Sequence, residues 1–390
     1  MQKIINILFI FCVISSCKKN VEDSSDVIKI FVDIKTSKEK PIETFFSAIE
    51  IVPLETIEES LLQKCEKIIY RNDLFYVMDG GQHAIFIFDK QGNFIKNSMR
   101  KSGVGPGEYY SMIDFDINPQ TGHIEILDVS AYKIRRYDGE FNFVNETSLP
   151  RTMYPVVAFK AITSDLYVFS TPHSNRNEEL LLLSAPREER LQFYSASKKE
   201  VTGQIVLHSV KHSLNNTQSF SFYMRDNELF FTNRYPNNHL FKILYDEQKI
   251  IRMVEYDFGE HTFQIEKIPE QSLENKSFTE MNSSRFVFPA TKHENDSCYF
   301  SFVLFKNELH LVSYNKRSKQ TNVAPWKFTD GGMILPPAYV DNTYFYVVAQ
   351  PDWIDLMVKK TLLDSQSQEI IKSLKEDDNP VLLKYKIAYQ

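Results

Sequence analysis

The sequence predicts an all-β fold, a six-bladed β-propeller with a helical insertion in its last blade. The first observation is an internal repeat, in which the stretch 75–95 returns 49 positions later as the stretch 124–144. The second is that strand-like segments such as 75–78 and 85–88 are apolar at consecutive positions. Such runs suit strands covered on both faces, as when each blade lies between two others. The third is composition, because 13% of the residues are aromatic, with 30 Phe and 20 Tyr, which favours strands over helices.

Each repeat unit reads as a strand, a turn, a second strand, an Asp, a turn and a third strand. The acids Asp79 and Asp89 of the first copy match Asp128 and Asp138 of the second, and an Ile, an Asn and a Phe are also identical. One small sheet of this kind cannot bury its own faces and must stack on copies of itself. The repeat therefore indicates a radial array of sheets.

Four further segments resemble the first strand of the repeat and bring the number of units to six. They start at Asp165, Glu228, Cys298 and Thr343. The second strands of the third, fourth and fifth units are expected at 179–183, 240–246 and 308–315.

The remaining segments complete the predicted ring. The stretch 261–296 is rich in Ser and Asn and is predicted as a long connection, whereas 352–378 has a helical pattern and is placed inside the sixth blade. The stretch 379–387 is the expected closing strand. We expect it to pair with the strand 49–54, in which Pro53 favours an edge position.

The N-terminus has the character of a targeting segment, and residues 1–16 are interpreted as a lipoprotein signal peptide. Lys3 precedes an apolar run that is too short to span a membrane as a helix. The run ends in Val-Ile-Ser-Ser before Cys17, an arrangement similar to a bacterial lipobox, so Cys17 is the predicted lipid attachment site. A plain secretory signal is the alternative. Residues 17–44 are assigned to a tether, polar over 18–26, and an N-terminal extension, and residues 45–390 to the propeller.

Two cysteines remain in the predicted globular part. Cys65 and Cys298 are too few for a disulfide framework, and we expect both to be free thiols. The net charge of -6 without a basic stripe disfavours nucleic acid as a partner.

One segment resembles a family signature. Gly103, Gly105, Pro106, Gly107, Glu108 and Tyr109, followed by the pair Asp114-Phe115, are similar to the G-x-GPGEY…DF signature of the six-bladed β-propeller lipoproteins of Gram-negative envelopes, which are distant relatives of NHL-repeat propellers. The stretches 52–56 and 378–382 resemble the N-terminal "PLE" and C-terminal "NP" strands of the same family. The resemblance implies six blades and export as a lipoprotein, and it implies no established activity and no catalytic residues.

The residues of the glycine-rich motif favour a structural role over phosphate binding. A phosphate-binding loop needs a helix N-terminus after it and free backbone N–H groups. Pro106 removes one N–H group, and the residues from Tyr109 onward have strand character. We therefore expect a tight connection between blades, with Glu108 bonded back to the loop backbone.

No set of residues in the sequence forms a recognisable catalytic or metal site. Asp79, Asp89, Asp128 and Asp138 each follow a strand at the same place in their units, so they are interpreted as turn residues. The other units do not keep an acid at the first of these positions, whereas a calcium site needs six to eight oxygens. His208 and His212 stand four apart but in a stretch with strand character, and no G-x-S-x-G elbow or EF-hand loop occurs.

Aromatic residues near predicted strand ends are candidate contacts for sugars or peptides. They are Tyr109, Tyr110, Tyr154, Tyr235 and Trp326.

The sequence favours a non-catalytic binding or scaffold module at the cell envelope, held to the membrane by lipid on Cys17. The expected partner is an envelope protein or a glycan, received on a face of the ring or in its central funnel, with no cofactor and no metal. A metal-dependent enzyme of the lactonase or lyase type is the alternative. A regulatory or sensory part of a nutrient-uptake system is a third possibility.

Overall fold

The computed structural model describes residues 21–36, 40–174, 187–210, 222–232, 237–264 and 284–388. The first strands in these ranges are β1 (Val21–Phe31), β2 (Phe46–Pro53), β3 (Cys65–Arg71), β4 (Leu74–Asp79), β5 (Ala84–Asp89), β6 (Phe94–Asn97), β7 (Met112–Ile117), β8 (Ile124–Asp128), β9 (Lys133–Tyr137), β10 (Phe143–Ser148), β11 (Ala158–Ala161), β12 (Leu166–Ser174) and β13 (Arg187–Ser195). They are followed by β14 (Glu200–Val210), β15 (Phe222–Arg225), β16 (Glu228–Phe231), β17 (His239–Leu244), β18 (Lys249–Asp257), β19 (Phe288–Glu294), β20 (Cys298–Phe305), β21 (Glu308–Asn315), β22 (Thr321–Pro325), β23 (Tyr339–Val340), β24 (Tyr344–Ala349) and β25 (Val381–Ile387). The α-helices in these ranges are α1 (Ile354–Met357) and α2 (Ser365–Ser373).

The strands form six sheets, and the predicted fold class is confirmed. Blade 1 is β3–β6, blade 2 is β7–β10, blade 3 is β11–β14, blade 4 is β15–β18 with β1, blade 5 is β19–β22, and blade 6 is β23–β25 with β2. Within each blade the strands that follow one another in the chain lie side by side and pair antiparallel. The tight hairpins follow from the turn residues, since both Asn72 and Asp73 between β3 and β4 have positive φ.

The hydrophobic core lies between the blades. Among the described residues it consists of six clusters of buried side chains, and each cluster joins two neighbouring blades around the ring. Ile85 of blade 1, for example, shares a cluster with Phe115 of blade 2. The second and third strands are covered on both faces, so β4 and β5 are buried at nearly every position. This arrangement explains the consecutive apolar residues in their sequences.

The ring closes through the two ends of the chain, as predicted. Strand β2 pairs antiparallel with β25 over the register from Phe46–Ile387 to Pro53–Val381, and it forms the edge of blade 6. Asn379 lies just before β25 and joins the two ends, since its Nδ2 donates to the carbonyl oxygens of Glu55 and Ser60, both at 2.8 Å. The motifs that resemble the family's terminal strands are therefore in contact.

The N-terminal extension differs from its expected form. A polar tether was predicted over residues 18–26, but the chain is already in strand β1 from Val21, and residues 18–20 lie outside the described ranges. Strand β1 pairs parallel with β18 and makes blade 4 five-stranded. Residues 1–17, including the predicted signal peptide and Cys17, lie outside the described ranges.

The helical insertion in blade 6 is confirmed and connects β24 to β25. It is broken into α1, α2 and short 3₁₀ turns rather than one continuous helix. Asp364 caps α2 by accepting from the backbone N–H of Ser367 at 2.7 Å, and the Ser367 Oγ accepts from Ile51 N at 3.1 Å. The insertion thereby covers the outer edge of β2, which would otherwise expose unpaired strand groups.

Three segments correct or limit the sequence prediction. The stretch 261–296 is not only a connection, because its last part is strand β19. The second strand of the third unit is Arg187–Ser195, whereas the predicted 179–183 lies outside the described ranges. The first strand of each blade, such as β3, was missing from the predicted repeat unit. Cys65 and Cys298 are both free, as expected.

None of the helices in the described part of the chain has the length and apolar character needed to cross a membrane.

Candidate functional site

The first strand of every blade lies innermost, and together these six strands line a central cavity. Its volume is about 850 Å³, within the range typical of ligand pockets. The lining includes residues of β3, β7, β11, β15, β19 and β23, and continues into the segment 335–338 before β23. This cavity is the candidate functional site.

Backbone irregularities occur along these inner strands. The pairing register shifts at Glu66 in β3, at Ile113 in β7 and at Ala290 in β19. Pro289 precedes the last of these bulges and cannot donate a ladder hydrogen bond. Bulges redirect the side chains that follow them and are common next to binding sites.

Ion pairs connect the inner strands of blades 1, 2 and 3. Lys67 Nζ of blade 1 bonds to Asp114 Oδ1 of blade 2 at 2.6 Å, and Lys160 Nζ of blade 3 bonds to Asp116 Oδ1 at 2.7 Å. The second oxygen of Asp114 accepts from Phe159 N at 2.9 Å. Burial raises the pKa of Asp114, and the Lys67 ammonium opposes that effect. These carboxylates are therefore occupied in joining blades.

A second group of charges connects blades 4 and 5. Arg225 of β15 lies 3.1 Å from Glu294 Oε1 of β19, and Lys316 lies 2.9 Å from Glu294 Oε2. Glu294 is buried, and both of its oxygens face a cation. Its role is thus inter-blade pairing, like that of the acids in β7.

Polar groups of a different kind lie on the same wall. Tyr223, Thr291 and His293 line the cavity, and each has a buried polar atom with no hydrogen-bond partner among the residues that the structure describes: Tyr223 Oη, Thr291 Oγ1 and His293 Nε2. The rings of Tyr223 and His293 are 5.9 Å apart. Burial lowers the pKa of His293 to about 4, so its imidazole is neutral at pH 7.

The wall formed by blades 6 and 1 is aromatic. The ring of Tyr70 in β3 stacks on that of Tyr346 at 5.8 Å, and Tyr339 in β23 lies 5.4 Å from Tyr346. Tyr70 and Tyr339 line the cavity. The Tyr346 hydroxyl donates to Asp341 Oδ2 at 2.8 Å, which fixes the cluster in place.

The repeat-related acids lie where a strand ends and a turn begins, since Asp79, Asp89 and Asp128 end β4, β5 and β8, and Asp138 directly follows β9. Asp79 accepts from the backbone N–H groups of Gly81 and Gln82, and Asp128 accepts from that of Ala131 and from Arg135 Nε. In the second turn of each unit, Asp89 and Asp138 accept from the backbone and side chain of an Asn four residues later. The structure does not bring these four acids together. In the ranges described, no three His, Cys, Asp or Glu side chains form a group that could hold a metal ion.

The glycine-rich motif lies between β6 and β7 and is held by its own contacts. Glu108 Oε2 accepts from Gly105 N at 2.8 Å, and Gly103 N donates to the Tyr109 carbonyl at 2.8 Å. Tyr109 is fully buried, with its hydroxyl 2.6 Å from Ser98 Oγ. Gly107 has a φ of +76°, which suits glycine, and Pro106 follows Gly105 in the turn. Strand β7 begins only at Met112, later than expected.

The other candidate residues lie apart from the cavity. Tyr109 is buried in the motif loop, whereas Tyr110 and Tyr154 are exposed and Trp326 packs at the edge of a core cluster. His208 lies in strand β14. His212 and Tyr235 lie outside the described ranges.

Fold and cavity together define a six-bladed β-propeller whose inner strands enclose a mixed polar and aromatic site. The chain belongs to the family described as a domain of unknown function, DUF4934, whose model matches residues 25–386. No curated protein matches the chain.

Two solved structures are similar in fold. One is a protein of Bacteroides fragilis NCTC 9343 described as exported, with a TM-score of 0.67 and 15% identity, covering 93% of this chain and 100% of that chain. The other is a member of the DUF4221 family from Bacteroides vulgatus ATCC 8482, with a TM-score of 0.51 and 9% identity, covering 88% of this chain and 99% of that chain. Identities this low support the shared fold alone.

Proposed function

We propose that this protein is an exported, lipid-anchored binding module of the cell envelope, which receives a protein or glycan partner in its central cavity. The observation that carries the proposal is that the inner strands hold two kinds of side chain, some that bind to neighbouring blades and others that have unbonded polar atoms. Charged groups such as Lys67, Asp114 and Glu294 bind to neighbouring blades. Tyr223, Thr291 and His293 line the same space, and each keeps a buried polar atom without a hydrogen-bond partner among the described residues, which leaves them for a ligand.

The acids of the inner strands support binding rather than metal-dependent catalysis. A catalytic metal needs carboxylate or imidazole ligands that converge on one point. Asp114 and Asp116 are directed to the lysines and backbone of adjacent blades instead, at distances of 2.6 to 2.9 Å. Elemental analysis of the purified protein should accordingly give no stoichiometric calcium or zinc.

Retention of envelope components by the immobilised protein tests the binding site. The wild-type chain is compared with the Ala290→Trp variant, which places a large ring at the bulge that faces the cavity. We expect components retained by the wild type to be lost from the variant, with circular dichroism showing that both are folded. Equal retention by both proteins would move the site away from the cavity. Conversion of a small molecule that the variant abolishes would favour an enzyme.

Lipid attachment is tested separately. Metabolic labelling with a radioactive fatty acid should label the wild-type protein, and the Cys17→Ser variant should carry no label. An equally labelled variant, or an unlabelled wild type, would contradict attachment at this residue.

A further inference from the structure

Three uncharged side chains with unbonded, buried polar atoms distinguish the wall of the cavity formed by blades 4 and 5, where the charged Arg225 and Glu294 pair with each other at 3.1 Å. Tyr223 Oη, Thr291 Oγ1 and His293 Nε2 each lack a hydrogen-bond partner in the part of the chain that the structure describes. All three residues line the cavity, and two of them belong to one short strand, β19. A buried polar atom without a partner loses its hydrogen bonds to water and gains none in return, so three such atoms on one wall lower the stability of the free protein.

The side chains of Tyr223, Thr291 and His293 carry no charge at pH 7. Two are hydroxyls that both donate and accept, and the imidazole is uncharged at pH 7 because burial lowers its pKa to about 4. Such groups match hydroxyl or amide groups of a ligand better than a phosphate or a carboxylate.

The charge of the remaining lining agrees with a neutral ligand. The cavity is lined by five cationic side chains, Lys67, Arg71, Lys160, Arg225 and Lys292, and by five carboxylates, Glu66, Asp116, Asp226, Glu294 and Asp341. Many of the cations bind to a neighbouring blade, as Arg71 does through the carbonyl oxygens of Ile117 and Asn118. The lining therefore offers no net charge that would attract an ion.

The aromatic wall supplies an apolar surface for the same ligand. Tyr70 and Tyr339 belong to a cluster of three tyrosine rings whose members lie 5.4 to 6.4 Å apart. A pyranose ring presents apolar C–H faces that stack on such rings, while its hydroxyls point outward to hydrogen-bonding groups.

We propose that the central cavity binds a neutral glycan segment, with a sugar ring against Tyr70 and Tyr339 and its hydroxyls bonded to Tyr223, Thr291 and His293. This inference rests on the proposed binding function and names its ligand class. The unpaired atoms of the free protein become paired when the sugar enters.

Conservative variants at these positions should keep or raise the melting temperature and should weaken sugar binding. The Tyr223→Phe variant removes an unpaired hydroxyl, so its melting temperature should equal or exceed that of the wild type. Its affinity for the sugar should fall about three- to tenfold, because one ligand hydrogen bond is lost. Thr291→Val should behave in the same way. The matched control is Tyr132→Phe, since Tyr132 lies in the turn between β8 and β9, outside the cavity.

Isothermal titration calorimetry with defined probes measures the binding. The probes are cellotetraose, maltotetraose, xylotetraose, mannotetraose and chitotetraose, with a tetragalacturonate as the charged counterpart and a random-sequence heptapeptide pool as the alternative class. We expect at least one neutral tetrasaccharide to bind the wild type and the control alike and the Tyr223→Phe variant more weakly.

The outcomes separate the ligand class from the binding function. Binding of none of the neutral sugars overturns the glycan assignment, as does an unchanged affinity in both Tyr223→Phe and Thr291→Val. If the peptide pool or the galacturonate binds instead and Ala290→Trp abolishes that binding, the cavity still functions as a binding site and only the ligand class is wrong. If Ala290→Trp also retains every envelope component that the wild type retains, the proposed function itself fails.

Discussion

Asn379 provides the sharpest test of how the ring is closed. Its side chain is 3% exposed and makes three hydrogen bonds to the segment that follows β2. Nδ2 donates to the carbonyl oxygens of Glu55 and Ser60, and Oδ1 accepts from Leu62 N, all at 2.8 Å. A single amide thus joins the segment before the last strand to the segment after the strand that pairs with it.

The magnitude follows from these three bonds. Each contributes about 1 kcal/mol, and Asn379→Ala leaves buried backbone groups without partners, so the free energy of unfolding should fall by about 3 kcal/mol. Asn379→Asp keeps the acceptor for Leu62 but places a carboxylate oxygen against two carbonyl oxygens. It should therefore lose at least as much stability at pH 7, in spite of its nearly identical shape.

Unfolding in guanidinium chloride measures these differences. The control is Asn142→Ala, because Asn142 lies in an exposed turn and its side chain donates to Asp138 Oδ2 of the same turn, at 3.0 Å. We expect the control to lose no more than about 0.5 kcal/mol. If Asn379→Ala remains within that margin of the wild type, the amide does not contribute to closure and the reasoning is refuted.

Three further predictions concern other positions. Burial raises the pKa of Glu125 to about 7, above the value of 4.5 for the exposed group. The native state therefore binds the proton more tightly than the unfolded state, and the free energy of unfolding should fall as the pH rises from 4.5 to about 7. The Glu125→Gln variant should show a flatter pH profile of unfolding, and equal slopes in the two proteins would contradict the raised pKa. Asp114→Asn leaves the largely buried Lys67 without its carboxylate and should cost about 3 kcal/mol in urea unfolding, with no loss if the pair is dispensable. Gly107→Ala should lower the free energy of unfolding by about 2 kcal/mol, because the residue has a positive φ and an added Cβ would contact the ring of Phe143. Gly122→Ala should cost less, since Gly122 has a similar φ but open space around it. Similar losses in the two variants would show that the ring contact is unimportant.

The blade arrangement was predictable from the sequence because strands buried between two blades carry a recognisable pattern of apolar residues. Strands β4 and β5 lie between neighbouring blades, so they are apolar at consecutive positions and stand out in the chain. Ring closure was predictable because the predicted strands 49–54 and 379–387 flank the repeat units, and their pairing is the simplest way to cover both edges. Strand β1 was missed because its polar sequence shows neither alternation nor an apolar run at its start.

The site was not predictable, since most of the strands that build it were absent from the predicted repeat unit. Strand β3 faces the cavity and is only partly buried, so its sequence mixes charged and apolar residues without a clear period. One signal could have revealed it. The pair Asn72-Asp73 before β4 is typical of a two-residue hairpin, which requires a strand on its other side. Asp226-Asn227 gives the same signal between β15 and β16.

The start of β1 at Val21 limits how the propeller could be oriented on a membrane. If Cys17 carries lipid as we propose, only three residues separate it from Val21, which is already paired to the outer strand of blade 4. At about 3.5 Å for each of the four Cα–Cα steps from Cys17 to Val21, this segment reaches no more than about 14 Å. The outer edge of blade 4 would then stay close to the bilayer, and the ring could not turn freely. A long glycan would meet the cavity from a restricted set of directions.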